Sequence, residues 1–268
     1  MITSGGALTT LHSFTDGSPA AGLVQATDGN FYGTTMDGGD LSCDAPYGCG
    51  TIFKITPSGT VTTLHSFDSA EGEWPSSGGL LQATDGSFYG TTYRGGDHNL
   101  GTVLRLDMGL GPFVALVHDS GKVGQTGGIL GQGFTGTTSV SFNGAPAKFA
   151  VESDTLLMAK VPAGAPTGFV TVTTPSGTLT SNKPFRVTPQ LLSFDPPSGP
   201  VGTQVTITGV SLTQTQGVGF GDRIPAQFTV NSDTQVTAIV PAGAKTGKIG
   251  IETKGGTAIS AGTFTVTP

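Results

Sequence analysis

The sequence predicts an all-β protein, and three observations support this fold class. The 268 residues include 44 Gly and 17 Pro, whereas charged residues make up only 11%, a composition that excludes helical bundles and coiled coils. No Gly-X-Y period runs through the chain, which excludes collagen. An apolar content of 35%, with 15 Phe, argues against simple disorder. We therefore expect short strands joined by many turns, in about two domains.

The first half contains two copies of one repeat. Three segments recur, at offsets of 53, 57 and 51 residues: LHSF from Leu11 and Leu64, GL(V/L)QATDG(N/S)FYGTT from Gly22 and Gly79, and a GT-initiated strand from Gly50 and Gly101. An Asp-Gly pair between alternating apolar segments is a strong hairpin signal. Four short strands in about 50 residues match one β-propeller blade. We expect repeats at about 8–63 and 64–117, within a domain spanning 1–118.

The repeat also resembles a known family. GLVQATDGNFYGTT followed by GTIFKITPSGTVTTLHSF is similar to the tandem repeat of large exported bacterial proteins of acidobacterial and verrucomicrobial type. This resemblance implies many repeats per protein, because a propeller needs at least about four blades to close. Two repeats leave two alternatives: the chain is a fragment of a longer repeat protein, or open blade edges pair between chains in a homo-oligomer.

The second half repeats with a period of about 79 residues. The recurring segments are SGKVGQTGG and SGPVGTQVT, SDTLLMAKVPAGAPTG and SDTQVTAIVPAGAKTG, and PFRVTP and TFTVTP. Strand signals every 8 to 12 residues predict two tandem immunoglobulin-like β-sandwiches, at 119–189 and 190–268. Alternation places Val170, Val172, Val205 and Ile207 inside. Gly127-Gly128 replaces Val205-Thr206, which predicts a weaker or bulged opening strand in the first sandwich.

These motifs resemble those of the IPT/TIG family of immunoglobulin-like domains. The pattern consists of PxSGPVGTxVTITG, then SDTxVTAxVPAGAxTG, then GTFTVTP. The resemblance implies a seven-stranded sandwich that serves as a spacer, as a docking module beside enzymes, or as an adhesive domain on a cell surface. Similar domains in transcription factors touch DNA, but the basic side chains that would support this role are absent here.

Charge and cysteine usage restrict the partners and the compartment. Residues 1–119 carry 12 acidic and 3 basic side chains (-9), and residues 120–268 carry 6 and 9 (+3), without a basic cluster that could follow a phosphate backbone. We therefore expect no nucleic acid partner. No apolar run is long enough for a membrane helix, and the opening residues lack signal-peptide regions. Cys43 and Cys49 fit a small disulfide loop, which would indicate an extracellular or cell-surface location; two free thiols are the alternative.

Catalytic motifs are weak. GQGFTG at 131–136 spells a dinucleotide fingerprint, but a strand follows it where a helix is required. No G-x-S-x-G elbow is present. His12 and His65 occupy the same repeat position, which favours a structural role, and His98 has no repeat counterpart.

Acidic loop residues provide a candidate metal site. Asp37, Asp40 and Asp44 lie in the loop MDGGDLSCD, and Asp97 repeats the position of Asp40. Oxygen-rich loops suit Ca²⁺, although the spacing matches neither an EF-hand nor a Ca²⁺-binding β-roll. The alternative is that these carboxylates are simply solvated. We expect no other cofactor.

Aromatic residues on loops provide a candidate glycan site, because aromatic faces stack on sugar C–H surfaces. Trp74 lies in EGEWPSSGG, Tyr47 in the cysteine loop and Tyr93 after GTT. The alternative for Trp74 is that it caps the core of the repeat. The aromatic pairs Phe31-Tyr32 and Phe88-Tyr89 lie inside the repeated strand and are expected to pack.

The sequence leaves three functional readings open. The first is a non-catalytic extracellular module for binding, adhesion or spacing, with a polysaccharide or cell-surface glycan as partner. The second is a polysaccharide hydrolase or lyase with its site at the loops near Asp40, Asp97 and His98. The third is a purely structural fragment of a larger surface protein. A shallow aromatic strip would favour the first reading, and a deep pocket of acidic and His side chains would favour the second.

Overall fold

The computed structural model describes residue 6, residues 8–75 and residues 78–268. Residues 1–5 and 7, which belong to the segment tested for a signal peptide, and residues 76–77 of the Trp74 loop lie outside the described residues. The chain forms two compact units, Met1–Gly111 and Pro112–Pro268. Every helix or strand assigned in the described ranges is a β-strand, which confirms the all-β fold. None of the described residues belongs to a helix that could cross a membrane.

The first unit contains one antiparallel sheet per repeat. The first sheet has the order β1-β2-β3-β4, and the second has the order β5-β6-β7. The strands are β1 (Val24–Gln25), β2 (Phe31–Thr35), β3 (Thr51–Ile55), β4 (Val61–Ser66), β5 (Leu81–Gln82), β6 (Phe88–Thr91) and β7 (Val103–Leu106). Each sheet is a meander of neighbouring strands; the first has the four strands predicted for one repeat, and the second has three within the described residues. A closed propeller remains a prediction, because the described residues form only two such sheets.

The repeated ATDG and FY segments act together. Asp28 accepts hydrogen bonds from the backbone N–H of Asn30 at 3.0 Å and from the hydroxyl of Tyr32 at 2.9 Å. In the second repeat, Asp85 accepts the hydroxyl of Tyr89 at the same distance. The aspartate therefore fixes the tight turn and satisfies the phenol of the following strand, which explains why these residues recur together.

The core of this unit lies between the two sheets. The rings of Tyr32 and Phe88 are 4.3 Å apart, and both side chains are almost completely buried. Burial, and then the hydrogen bond to Asp28, raise the pKa of Tyr32 to about 12. The buried apolar side chains around this pair are Ala26, Cys43, Cys49, Ile52, Phe67 and Leu80.

The first sandwich of the second unit has two four-stranded sheets, β13-β14-β10-β8 and β12-β11-β15-β16, and a parallel pair, β17-β9. Its strands are β8 (Ala115–Leu116), β9 (Ser120–Gly121), β10 (Thr126–Leu130), β11 (Ser139–Phe142), β12 (Ala145–Pro146), β13 (Phe149–Ser153), β14 (Leu156–Lys160), β15 (Val170–Thr174), β16 (Gly177–Thr180) and β17 (Arg186–Val187). Strand β8 pairs with β10. Residues before position 119 thus contribute to this sandwich, and buried Val114 belongs to its core.

The second sandwich repeats this topology, with sheets β18-β20-β24-β23 and β22-β21-β25-β26 and a parallel pair, β19-β27. Its strands are β18 (Gln190–Asp195), β19 (Ser198–Gly199), β20 (Gln204–Val210), β21 (Thr215–Phe220), β22 (Ile224–Pro225), β23 (Phe228–Ser232), β24 (Gln235–Ile239), β25 (Ile249–Thr253), β26 (Gly256–Ile259) and β27 (Thr265–Val266). Both cores are lined by alternating side chains of the facing sheets. The predicted inward positions are confirmed, because Val170, Val172, Val205 and Ile207 are at most 1% exposed.

The predicted bulge at Gly127-Gly128 is wrong. The five residues of β10 pair with β14 in continuous register. A Cβ on Gly128 would lie 3.0 Å from the side chain of Val117, just beyond β8, so close packing against this segment explains the small residue.

The two sandwiches contact each other through side chains that do not repeat. The Oε1 of Gln214 accepts the backbone N–H of Thr167 at 2.7 Å. The backbone of Gly255 packs so closely that a Cβ there would lie 1.8 Å from the carbonyl oxygen of Val187. Gln214 and Gly255 correspond to Gly136 and Ser176 of the first sandwich, so this contact is specific to the second sandwich.

Candidate functional site

Two backbone segments hold the candidate ligand-binding residues of the second repeat side by side. The backbone N–H of Tyr93 donates to the carbonyls of Glu73 at 3.0 Å and Trp74 at 3.2 Å, and that of Arg94 donates to Glu73 at 3.1 Å. Trp74 has a φ of +56° and donates its N–H to the carbonyl of Cys49 at 3.0 Å. Trp74 is therefore fixed from two sides, although its backbone conformation is uncommon for a residue other than glycine.

The side chains of these segments form a group that we name the aromatic cluster: Trp74, Tyr93 and Arg94. The two rings are almost parallel, with 10° between their planes and 6.5 Å between their centroids. The guanidinium carbon of Arg94 lies 4.9 Å from the centroid of Trp74 and 5.9 Å from that of Tyr93. Trp74 is half-buried and Tyr93 is 62% exposed. The cluster thus combines apolar ring surface with a cationic hydrogen-bond donor at the protein surface.

The cluster is absent from the first repeat. The segment FYGTTMDGG of the first repeat corresponds to FYGTTYRGG, so Met36 and Asp37 stand where the second repeat has Tyr93 and Arg94. Sequence reasoning identified Trp74 and Tyr93 but missed Arg94. The reversal of charge between the two repeats is the signal that could have revealed it. Trp74 is half-buried and is not among the side chains that form the core of the unit.

Tyr47 lies apart from the aromatic cluster. Cys43 and Cys49 form a disulfide, and their sulfur atoms and side chains are buried in the core of the unit. Tyr47 lies between them on the outer turn, 67% exposed, with its backbone N–H donated to the carbonyl of Asp44 at 2.9 Å. Within the described ranges it makes no ring contact with the cluster. The disulfide loop nevertheless supports the cluster, because the carbonyl of Cys49 accepts the N–H of Trp74.

The four candidate metal ligands serve separate local roles. Asp37 accepts hydrogen bonds from the backbone N–H and the hydroxyl of Ser18. The hydroxyl and backbone N–H of Ser42 hold the pKa of Asp40 below its ordinary value. Asp44 turns the chain with a φ of +52°, and Asp97 is exposed.

These carboxylates are not gathered into one group in the structure. Among the described residues, the single group of three potential ligands within 4.8 Å of one another is Cys43, Cys49 and Glu73. The two sulfur atoms of this group are joined in the disulfide and present no thiolate to a metal ion. No three of the four aspartates approach one another to this extent.

A cleft with a volume of about 530 Å³ lies on the sheet of the first repeat. Residues 12–16 form one wall, and strands β2 to β4 with Asp40 form the other. The polar lining includes His12, Asp16 and Asp40, whereas Asp97 and His98 of the second repeat do not line it. The structure thus separates the residues that the sequence grouped into a candidate enzyme site.

Comparison with known proteins identifies the family. The model of the Gloeobacter/Verrucomicrobia repeat matches residues 1–144, and the model of the IPT/TIG domain matches residues 112–187 and 189–267. No curated protein matches the chain.

Several solved structures are similar to parts of the chain. A surface glycan-binding protein from Prevotella bryantii is 19% identical, with a TM-score of 0.40, over 57% of this chain and 41% of that protein. A surface glycan-binding protein from a xyloglucan utilization locus of Bacteroides uniformis is 22% identical, with a TM-score of 0.27, over 57% and 48%. A tandem pair of titin immunoglobulin domains is 14% identical, with a TM-score of 0.29, over 57% and 95%.

The matched region thus spans less than half the length of either glycan-binding protein. The family models, by contrast, each cover more than half of this chain and match the repeats and the sandwiches by sequence. The chain therefore belongs to the Gloeobacter/Verrucomicrobia repeat family, and two IPT/TIG domains follow its repeats.

Proposed function

We propose that this chain is a non-catalytic, extracellular binding module whose aromatic cluster binds carbohydrate. The observation that carries the proposal is the parallel arrangement of Trp74 and Tyr93 with Arg94 beside both rings. A pyranose ring offers C–H surface to an aromatic face, and its hydroxyl or carboxylate oxygens accept hydrogen bonds from a guanidinium group. The cluster is shallow and exposed, which suits a site along a polymer better than an enclosed active site.

The titratable groups favour binding over hydrolysis. Glycoside hydrolysis requires a carboxylic acid whose pKa is raised so that it can protonate the leaving group. The cleft carboxyl Asp40 has a lowered pKa instead. Within the described residues, every carboxyl group with a shifted pKa is shifted downward: Asp28, Asp40, Asp119 and Asp154. These groups are suited to remain ionised at neutral pH.

We assign the two sandwiches a spacer role, because a specific contact joins them. The hydrogen bonds between Gln214 and Thr167 and the close approach of Gly255 to Val187 restrict rotation of one sandwich against the other. A restrained pair of sandwiches is a stiffer spacer than two sandwiches joined by a free linker. The disulfide Cys43–Cys49 supports an extracellular location, because such bonds persist in oxidising compartments.

A glycan array followed by calorimetry with each bound polysaccharide tests the binding proposal. We expect Tyr93→Ala and Arg94→Ala each to weaken binding by at least about tenfold, the effect of losing about 1.4 kcal/mol at a binding hot spot. Tyr47→Ala is the matched control, because Tyr47 is similarly exposed but has no partner ring in the cluster. Wild-type protein that binds no glycan, or equal losses for Tyr47→Ala and Tyr93→Ala, would contradict the proposal.

A further inference from the structure

The two repeats pack against each other through opposite faces of their sheets. Successive residues of a strand point to opposite sides, so each sheet has a tyrosine face and a phenylalanine face. The tyrosine face comprises Val24, Tyr32 and Ile52 in the first repeat and Leu81, Tyr89 and Val103 in the second. The phenylalanine face comprises Leu23, Phe31 and Phe53 in the first repeat and Leu80, Phe88 and Leu104 in the second.

Contact between the repeats uses one face of each. The tyrosine face of the first repeat packs on the phenylalanine face of the second, with Tyr32 against Phe88 as the central ring pair. The packing is therefore head to tail. Equivalent residues do not meet each other, and each repeat retains one face that its neighbour does not cover.

Equivalent side chains of the two repeats differ strongly in exposure, because one lies on a covered face and the other on an uncovered face. On the tyrosine face, Ile52 is 2% exposed, whereas its counterpart Val103 is 79% exposed. On the phenylalanine face, Leu80 is 8% exposed, whereas its counterpart Leu23 is 53% exposed. The second repeat therefore presents an open tyrosine face, and the first repeat presents a phenylalanine face that is open at Leu23, whereas Phe53 on the same face is 3% exposed.

Two further positions show the same difference, whereas Phe53 and Ile55 of the first repeat do not, because they are more buried than their counterparts Leu104 and Leu106. Leu81, at the position of half-buried Val24, is 65% exposed. Phe67, near the start of the second repeat, is 2% exposed, whereas its counterpart Phe14 is half-buried and lies 5.0 Å from the ring of Phe53. These apolar side chains keep the residue types that pack between the repeats, although water reaches them here.

The edge next to the open tyrosine face is also unpaired. In the first repeat, β4 contains the Leu-His-Ser segment from Leu64 and pairs with β3. The corresponding edge strand of the second repeat is β7, which has no fourth strand within the described sheet. The chain that follows enters the first sandwich as β8 instead. Such an edge offers backbone groups to another chain.

We propose that copies of this chain associate head to tail. The open tyrosine face of the second repeat in one copy packs on the open phenylalanine face of the first repeat in the next copy. The contact between the repeats within one chain is the template, and the occupant that we assign to each face is the same repeat in another copy. Because the two faces differ, the contact is heterologous and continues from copy to copy.

Light scattering and sedimentation velocity over a range of concentrations test this proposal. For the wild-type protein we expect an average mass that rises with concentration above the chain mass of 26.9 kDa. Val103→Glu alters the tyrosine face, and Leu23→Glu alters the phenylalanine face. Both side chains are exposed in the single chain, so we expect both variants to fold. We expect each variant alone to remain at the mass of one chain.

The decisive measurement is a mixture of the two variants. Each variant retains the face that the other has lost, so a 1:1 mixture can form one contact and should stop at two copies, twice the chain mass. Leu192→Glu is the control, because Leu192 is 64% exposed in the second sandwich and should leave association unchanged. Trp74 fluorescence during unfolding verifies that each variant is folded. A wild-type mass that stays at one chain, or variants that associate like the wild type, would overturn the proposal.

Discussion

Leucine truncation at one repeat position provides a direct test of head-to-tail packing. Leu80 and Leu23 have the same residue type at the same position of the two repeats, but Leu80 is 8% exposed and Leu23 is 53% exposed. Leu80→Ala should destabilise the first unit by about 3 kcal/mol, because it removes buried apolar surface and leaves a cavity. Leu23→Ala should cost about 1 kcal/mol, because half of the side chain already contacts water and no closed cavity remains.

Urea unfolding followed by tryptophan fluorescence measures this difference. Trp74 is the only tryptophan of the chain and lies in the first unit, so its signal reports the unfolding of the repeats rather than of the sandwiches. We expect the two variants to differ by about 2 kcal/mol in the free energy of unfolding. Equal losses in the two variants would refute the reasoning, because symmetric packing of the repeats would bury both leucines to the same extent.

Two further predictions concern the sandwich contact and the repeat turn. Gly255→Ala should separate the sandwiches, because its Cβ would lie 1.8 Å from the carbonyl oxygen of Val187. Small-angle scattering should then show an altered radius of gyration. Gly250→Ala is the control and should leave the radius unchanged, because open space surrounds Gly250. Tyr32→Phe should lower the free energy of unfolding by about 2 kcal/mol at pH 7, because it removes the hydrogen bond to Asp28. The folded-state pKa of Tyr32 is raised to about 12, so this advantage of the wild type is fully present below pH 10 and lost between pH 10 and 12, as paired unfolding curves should show.

The parts of the fold that sequence predicts well are those that recur. Asp28 and Asp85 stand in the same Asp-Gly turn, and each accepts the hydroxyl of the tyrosine four residues later. Alternation around Val205 and Ile207 identified the inward face of a sandwich strand, because a strand with one buried face requires a period of two. Local rules suffice for these features, since each depends on residues within a few positions of each other.

The parts that sequence could not predict depend on which neighbour a repeat has. Leu23 and Leu80 are identical in type and local context, so no local rule distinguishes the exposed one from the buried one. The pairing partner of residues 112–116 is a second example. By analogy with β4 they would complete the second repeat, but Ala115 and Leu116 pair with β10 instead, and Val114 is buried in the core of the first sandwich. The partner of this segment thus depends on a core that lies outside the repeat.

Internal repeats separate scaffold from function when the fold is known. A side chain that is present in both repeats is explained by its role in the sheet, as the aspartate–tyrosine pairs show. Tyr93 and Arg94 have no such explanation, because Met36 and Asp37 occupy the same positions in a sheet of the same kind. Gln214 and Gly255 differ from their counterparts in the same way, and both lie at the contact between the sandwiches. Departure from the repeat therefore coincides with a contact that the repeat itself does not require, and on this ground the aromatic cluster is the strongest candidate for a binding site.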